Sequence, residues 1–194
     1  MSLTTIIFET HATSLDNEAG RASGWHDVGL SPAGEREAAE LGRRHAASPP
    51  HVVYVSDAWR AFRTAEIAFG ERVPIVRDIR LRECDYGRLT QAPLAAIDAV
   101  RHSHVTTPFP DGESYEDVVA RVRGWLDEVL AENAGATILV VAHRATGYAL
   151  AHLLGGRPLA EVVSAPWQWQ PGWRYDVEVS VNDAASRPLP SRPW

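Results

Sequence analysis

Two histidines and one arginine stand where an α/β chain places ligand-binding groups. His11 lies three residues after the apolar stretch Ile6-Ile7-Phe8, Ser56 and Arg60 come just after Val52-Val53-Tyr54-Val55, and His143 stands two residues beyond Val141. In open α/β sheets ligands bind outside the carboxyl ends of the strands, so two imidazoles and a guanidinium at such ends can converge on one anion. Taken singly, each has an ordinary alternative: a histidine after a strand is often a hydrogen-bonded loop residue, and Arg60 can lie on a solvated helix face. Their joint placement carries the reading. The remaining histidines, His26, His45, His51, His102, His104 and His152, show no spacing that suggests a metal cage, so no metal is expected.

The elements that must position these groups alternate along the chain. Short β-branched runs predict buried strands over 6–8, 52–55, 73–76 and 137–141. Ser31-Pro32 supplies an N-cap followed by proline at the first helical position, and Ala38, Leu41 and His45 follow at helical spacing, so a helix is expected over about 32–47. A second helix should start after Ser56 and carry Arg60, Phe62 and Ala65. A third should follow Ser114, with Val118, Val122, Trp125 and Val129 on one stripe and a stop near Gly135. A fourth opens near Thr146 and closes at Gly155-Gly156. Strands alternating with helices predict a three-layer α/β/α fold with a mainly parallel sheet. Pro93, Pro108 and Pro110 break residues 84–113 into an irregular cap that could roof the site. Trp167, Trp169 and Trp173 fall within seven residues and could line an apolar mouth near it, whereas Trp25 and Trp125 read as packing residues. One domain over 1–181 is expected, with 182–194, which holds Pro188, Pro190 and Pro193, as a flexible tail.

Composition narrows the chemistry. A formal net charge of −6 argues against nucleic acid or an anionic membrane surface as the main partner. Every basic residue is arginine, which excludes a lysine Schiff base, a Walker-A loop and pyridoxal phosphate chemistry. Cys84 is the only cysteine, so no internal disulfide can form, and the N-terminus lacks a basic, long-apolar leader. With no apolar run of transmembrane length, a cytoplasmic location is the expectation.

The ordered motifs over most of residues 5–150 resemble the histidine phosphatase superfamily, the phosphoglycerate mutase-like enzymes. That family opens with Arg-His-Gly-x-Thr after its first strand; here the stretch is Thr10-His11-Ala12-Thr13-Ser14. Asn17, Gly24-Trp25-His26-Asp27 and Leu30-Ser31-x-x-Gly34 resemble its next segment. Ser56-x-x-x-Arg60-Ala61-x-x-Thr64-Ala65, Leu81-Arg82-Glu83-x-x-x-Gly87, Gly112-Glu113-Ser114 with Arg121, and Val140-Val141-Ala142-His143 continue the likeness. The departures are Thr10 and Ala12 for the motif arginine and glycine, and Arg144 where glycine usually follows the second histidine.

The resemblance implies a phosphatase acting on a small phosphorylated metabolite without a cofactor, with His11 as nucleophile. Arg60 and His143 would stabilise the phosphoryl oxygens and Glu83 would serve as general acid. Thr10, Ser14, Asn17, Ser23, Gly24 and Arg144 are the implied substrate-binding positions, and Arg144 is expected to replace the missing guanidinium at 10. A mutase is disfavoured because the chain lacks the longer insertions of the family's mutases. Three alternatives stay open: Glu83 as a surface carboxylate paired with Arg82 or Arg80, a catalytically weak anion-binding protein, and an enzyme of altered chemistry in the same pocket. A homodimer is also left open.

Overall fold

A computed structural model describes residues 1–179. Its strands are β1 (Ser2–Thr10), β2 (Val52–Ser56), β3 (Ile75–Asp78), β4 (Thr137–Ala142) and β5 (Trp173–Val179). The α-helices are α1 (Leu15–Glu18), α2 (Pro32–Arg44), α3 (Trp59–Phe69), α4 (Leu94–Val100), α5 (Tyr115–Glu132), α6 (Arg144–Leu153) and α7 (Leu159–Ser164). The sheet order is β3-β2-β4-β1-β5, parallel except for β5, which runs antiparallel to β1 along one edge.

The side-chain period of two sorts the sheet into two faces. Val53, Val55, Leu139 and Val141 pack with Leu41 of α2 and with Ala61, Ala65 and Phe69 of α3. Their strand neighbours Val52, Tyr54, Ile138 and Val140 join Val118, Val122 and Trp125 of α5 and Ala149 and Leu150 of α6. Helices therefore cover both faces, which is why the central strands read as unbroken apolar runs. Ser31 accepts from the Gly34 amide to start α2, and Ser114 forms a capping box with Asp117 to start α5. The α2 start lies hard against the loop after β1: a Cβ on Gly34 would sit 2.0 Å from the Thr13 carbonyl oxygen. Only glycine permits that approach, and it fixes the loop that carries His11.

Several expected boundaries move for identifiable reasons. β1 extends in both directions beyond 6–8 because β4 and β5 flank it, which satisfies its polar N-terminal residues through the ladder. The expected strand at 73–76 begins instead at Ile75, after Pro74, which has no amide to donate, and it runs on through Arg77 and Asp78 because β3 is an edge strand. β5, α1, α4 and α7 were not expected. In the cap, short 3₁₀ turns and α4 fold over the carboxyl ends of the parallel strands, where Tyr86 and Leu94 reach the cavity described below. The expected tail at 182–194 lies outside the described residues. Among the described residues, no helix is long and apolar enough to cross a membrane.

Candidate functional site

The β1–β4 register creates the site. Thr10 pairs with Ala142, and the His11 amide donates to the Ala142 carbonyl at 2.8 Å, so the residues that follow, His11 and His143, leave adjacent parallel strands together. Their rings meet edge to face with centroids 5.0 Å apart. Arg60, one residue into α3 from β2, is 1% exposed and lies against both. Its Nε donates to His11 Nε2 at 3.3 Å, and its Nη2 faces His143 Nδ1 at 3.3 Å. Its remaining bonds go to the carbonyls of His26 at 3.0 Å and Gly24 at 2.9 Å. Arg60 is thus a buried strut and not a residue of a solvated helix face.

These contacts fix both tautomers. A guanidinium has only hydrogens to offer, so each ring nitrogen that faces Arg60 must present a lone pair. His11 Nδ1 meets the Ala12 carbonyl at 2.7 Å and so carries the ring hydrogen, which leaves the lone pair on Nε2. His143 accepts at Nδ1, so its hydrogen sits on Nε2, a fully buried atom with no partner among the described residues. An unpartnered buried N–H is costly and calls for a hydrogen-bond acceptor. Electrostatics agree. Burial, and then the Arg60 charge, push His11 down to about 3, and the same causes hold His143 well below its ordinary value.

A stability consequence follows. Because the folded His11 pKa lies below the ordinary 6.5, the unfolded chain binds a proton between about pH 6.5 and 3 that the native chain refuses. Folding stability should therefore fall as pH drops through 6.5, by about 1 to 2 kcal/mol from His11 between pH 6.5 and 5, before most carboxylates titrate, with His143 acting in the same direction. Urea unfolding in phosphate-free buffer across that window checks this, and His11→Ala should shallow the slope. A flat profile would contradict two buried neutral imidazoles.

Glu83 enters from the cap side. Its Oε1 accepts from the Cys84 amide at 2.8 Å and from the Ala145 amide at 3.1 Å, in the first turn of α6, which leaves Oε2 outside these bonds. Its backbone is clamped as well: Arg121 donates to the carbonyls of Arg80, Arg82 and Glu83 while pairing with Glu113, and Trp25 Nε1 donates to the Glu83 carbonyl at 2.8 Å. Arg82 is taken by Asp57 and Arg80 by Asp78 and Glu128, so neither pairs with Glu83. Trp25, read from sequence as a packing residue, is half-exposed and acts as an anchor for Glu83.

His11, Arg60 and Glu83 open into one cavity of about 500 Å³, which Thr10, Asn17, Ser23 and Arg144 also line. His143, 0% exposed, does not line it, and two expected binding residues stand behind it as well. Ser14 is fully buried as the N-cap of α1, accepting from the Asn17 amide and donating to Asn17 Oδ1. Gly24, at φ +50°, presents its carbonyl to Arg60. Both sit outside the cavity lining because they hold residues that line it. Asn17 gives Oδ1 to that cap, so its amide nitrogen is the group left to donate. Sequence reasoning missed Arg21, which lines the cavity inside the very segment that carried the motif, and Thr64, whose hydroxyl accepts from the Ala12 amide at 3.0 Å and donates to the Arg60 carbonyl at 2.7 Å. Thr64 lies one turn after Arg60 on α3, a spacing that was visible in the sequence. Arg144 lines the cavity, yet its guanidinium is engaged: Nε with the Tyr148 hydroxyl at 2.6 Å and Nη2 with Asp98 of α4.

A mainly parallel sheet thus brings two neutral imidazoles, a buried guanidinium and the Glu83 side chain together at the carboxyl ends of its parallel strands. The chain belongs to the histidine phosphatase superfamily (branch 1), whose sequence pattern matches residues 6–171. A 2,3-bisphosphoglycerate-dependent phosphoglycerate mutase of Thermobifida fusca (strain YX) is 34% identical over 182 residues, covering 73% of this chain and 74% of the mutase. Phosphoserine phosphatase 1 of Hydrogenobacter thermophilus is 31% identical over 147 residues, with 71% and 70% covered. Among solved structures, a mycobacterial glucosyl-3-phosphoglycerate phosphatase in complex with VO3 superposes with a TM-score of 0.75 at 26% identity, covering 84% of this chain and 87% of that one. A protein described as mycobacterial hydrolase 1 gives a TM-score of 0.80 at 26% identity, with 90% and 91% covered.

Proposed function

We propose that this chain is a phosphatase that hydrolyses a small phosphorylated metabolite through a phosphohistidine on His11. The observation that carries the reading is the tautomer pair imposed by Arg60, a lone pair on His11 Nε2 beside an unpartnered N–H on His143. In the first step His11 Nε2 gives up the hydrogen bond it accepts from Arg60 Nε and attacks phosphorus, the bond from phosphorus to the leaving oxygen breaks, and Glu83 Oε2 gives that oxygen its proton. In the second, water attacks the phosphoryl group, the nitrogen–phosphorus bond breaks, Glu83 takes the water's proton and phosphate leaves. Arg60 and His143 stabilise the equatorial oxygens throughout. The likeness to phosphatases of small phosphorylated compounds supports the reading. Its test is release of inorganic phosphate from a panel of phosphorylated metabolites and 4-nitrophenyl phosphate. No release from any of them leaves the chain an anion-binding protein or an enzyme of other chemistry.

The divergent Thr10-His11-Ala12 sequence bears on the charge at phosphate, since Thr10 offers a neutral hydroxyl where the family motif has a guanidinium. In this reading Arg144 makes up the difference by exchanging the Asp98 carboxylate for phosphoryl oxygens. Asp98 is 40% exposed in its side chain and can turn to water at little cost. Arg144→Ala is then expected to weaken vanadate inhibition by at least about tenfold, the scale of one charge-assisted hydrogen bond. Asp98→Asn should strengthen inhibition, and Thr10→Arg should partly rescue Arg144→Ala. Unchanged vanadate affinity in Arg144→Ala would assign Arg144 to the Asp98–Tyr148 contact alone.

A further inference from the structure

The cavity has a polar floor and an aromatic wall. Trp167 and Trp169 join Leu94, Ala22 and Tyr86 in a lining that also holds His11. Trp167 is a fixed platform: it stands edge to face with Tyr148 at 5.7 Å, packs on Trp173 at 5.3 Å and has the Arg144 guanidinium 5.9 Å from its ring centroid. Trp169, two residues on, is 59% exposed although it lines the same cavity. An exposed indole at the mouth of a site offers apolar surface that a bound group can cover.

Charge decides what kind of group that is. The lining holds four carboxylates, Glu9, Glu37, Glu40 and Glu83, and four guanidiniums, Arg21, Arg44, Arg60 and Arg144. Arg44 is paired with Glu9, Arg60 is held by the histidines and two carbonyls, and Arg144 is paired with Asp98. Even with Glu83 carrying the proton it donates, a phosphate dianion turns this balance negative. A carboxylate on the leaving group would add repulsion in a partly desolvated space, whereas an uncharged ring would cover Trp169.

We propose that the preferred substrates are phosphomonoesters whose leaving group carries an uncharged aromatic ring, with Trp167 and Trp169 as the residues that determine this specificity. The inference rests on the phosphatase reading and names its substrate class. The oxygen that Glu83 protonates leaves toward the cap, and the ring beyond it lies between the two indoles. A hydrophobic pocket that gains a few apolar carbons discriminates by roughly 10- to 200-fold, so a preference of at least about tenfold is expected.

The test compares kcat/KM for 3-phenylpropyl phosphate, propyl phosphate and 3-phosphoglycerate, whose leaving groups are all alkoxides, so that ring and charge are the main variables. The phenylpropyl ester should exceed both others by at least about tenfold. Trp169→Ala should bring the phenylpropyl-to-propyl ratio to within about threefold of unity, and Trp169→Phe, which keeps an aromatic wall, should retain most of it. Propyl phosphate or 3-phosphoglycerate turned over as well as the phenylpropyl ester overturns the inference and leaves the phosphatase reading standing. So does an undiminished ratio in Trp169→Ala. Failure of all three esters and of 4-nitrophenyl phosphate as well overturns both.

Discussion

Alanine at position 11 is expected to lower kcat/KM by at least about 10⁴-fold, because loss of a covalent nucleophile removes the reaction path and not one stabilising contact along it. The fold should survive the change. His11 follows the end of β1 and its ring bonds only the Ala12 carbonyl and Arg60, while the strand pairing that places it is carried by the backbone. The wild-type chain, quenched rapidly with labelled substrate, should carry an acid-labile, base-stable phosphoryl group on the peptide that contains His11. The alanine variant should carry none. A residual rate above water is expected from Arg60 and His143, which remain to stabilise the phosphoryl oxygens. Turnover by His11→Ala at the wild-type rate would remove His11 as nucleophile and, with it, the double displacement.

How the sequence led to His11 shows what a single sequence can and cannot carry. The strands that place His11 and His143 are apolar on both faces, so they stand out as β-branched runs, and the polar residue after each run marks a carboxyl end. β5 did not stand out for the opposite physical reason. Trp173 to Val179 alternates with Arg174, Asp176 and Glu178 on the exposed face of an edge strand, so its signal is a period of two and not an apolar run. Short helices such as α4 and α7 follow Pro93 and Pro158 at their N-caps and owe their place to tertiary packing; their propensity alone would not specify them.

Within the site, residue type and spacing selected the right neighbourhood but did not separate contact from support. Ser14 and Gly24 occupy motif positions, yet one caps a helix and the other offers its carbonyl to Arg60. Both roles depend on where a backbone group points, and that is fixed only once the loop of residues 14–27 closes against α3. Arg144 was legible as a cation beside His143; its engagement with Asp98 was not, because α4 reaches it from a cap whose path no periodicity predicts. The Glu113–Arg121 pair that clamps the Glu83 backbone is of the same kind: a recognisable motif whose purpose emerges from three carbonyl contacts across the fold.

That clamp matters for the second large effect, at Glu83. Glutamine there is nearly isosteric, and its side-chain oxygen can still accept from the Cys84 and Ala145 amides, so the variant removes the transferable proton while keeping the geometry. General acid catalysis contributes roughly 10² to 10⁴ in rate, and its share grows with the basicity of the leaving oxygen. For an alkyl phosphate, kcat/KM should therefore fall by about 10² to 10⁴ in Glu83→Gln. For 4-nitrophenyl phosphate, whose leaving group departs as a stabilised anion, kcat/KM should fall by less than about tenfold, since this parameter reports only steps through departure of the first product. The second half of the cycle supplies an independent sign. If Glu83 also activates the water that attacks phosphohistidine, the variant should release nitrophenolate in a burst equal to the enzyme concentration and then turn over slowly as phosphoenzyme accumulates. A merely structural carboxylate would depress both substrates alike and show no burst, because misplacing the Ala145 amide or the cap would slow phosphorylation whatever the leaving group. Equal losses in kcat/KM on the two esters would thus assign Glu83 to the scaffold and require another acid in the cavity.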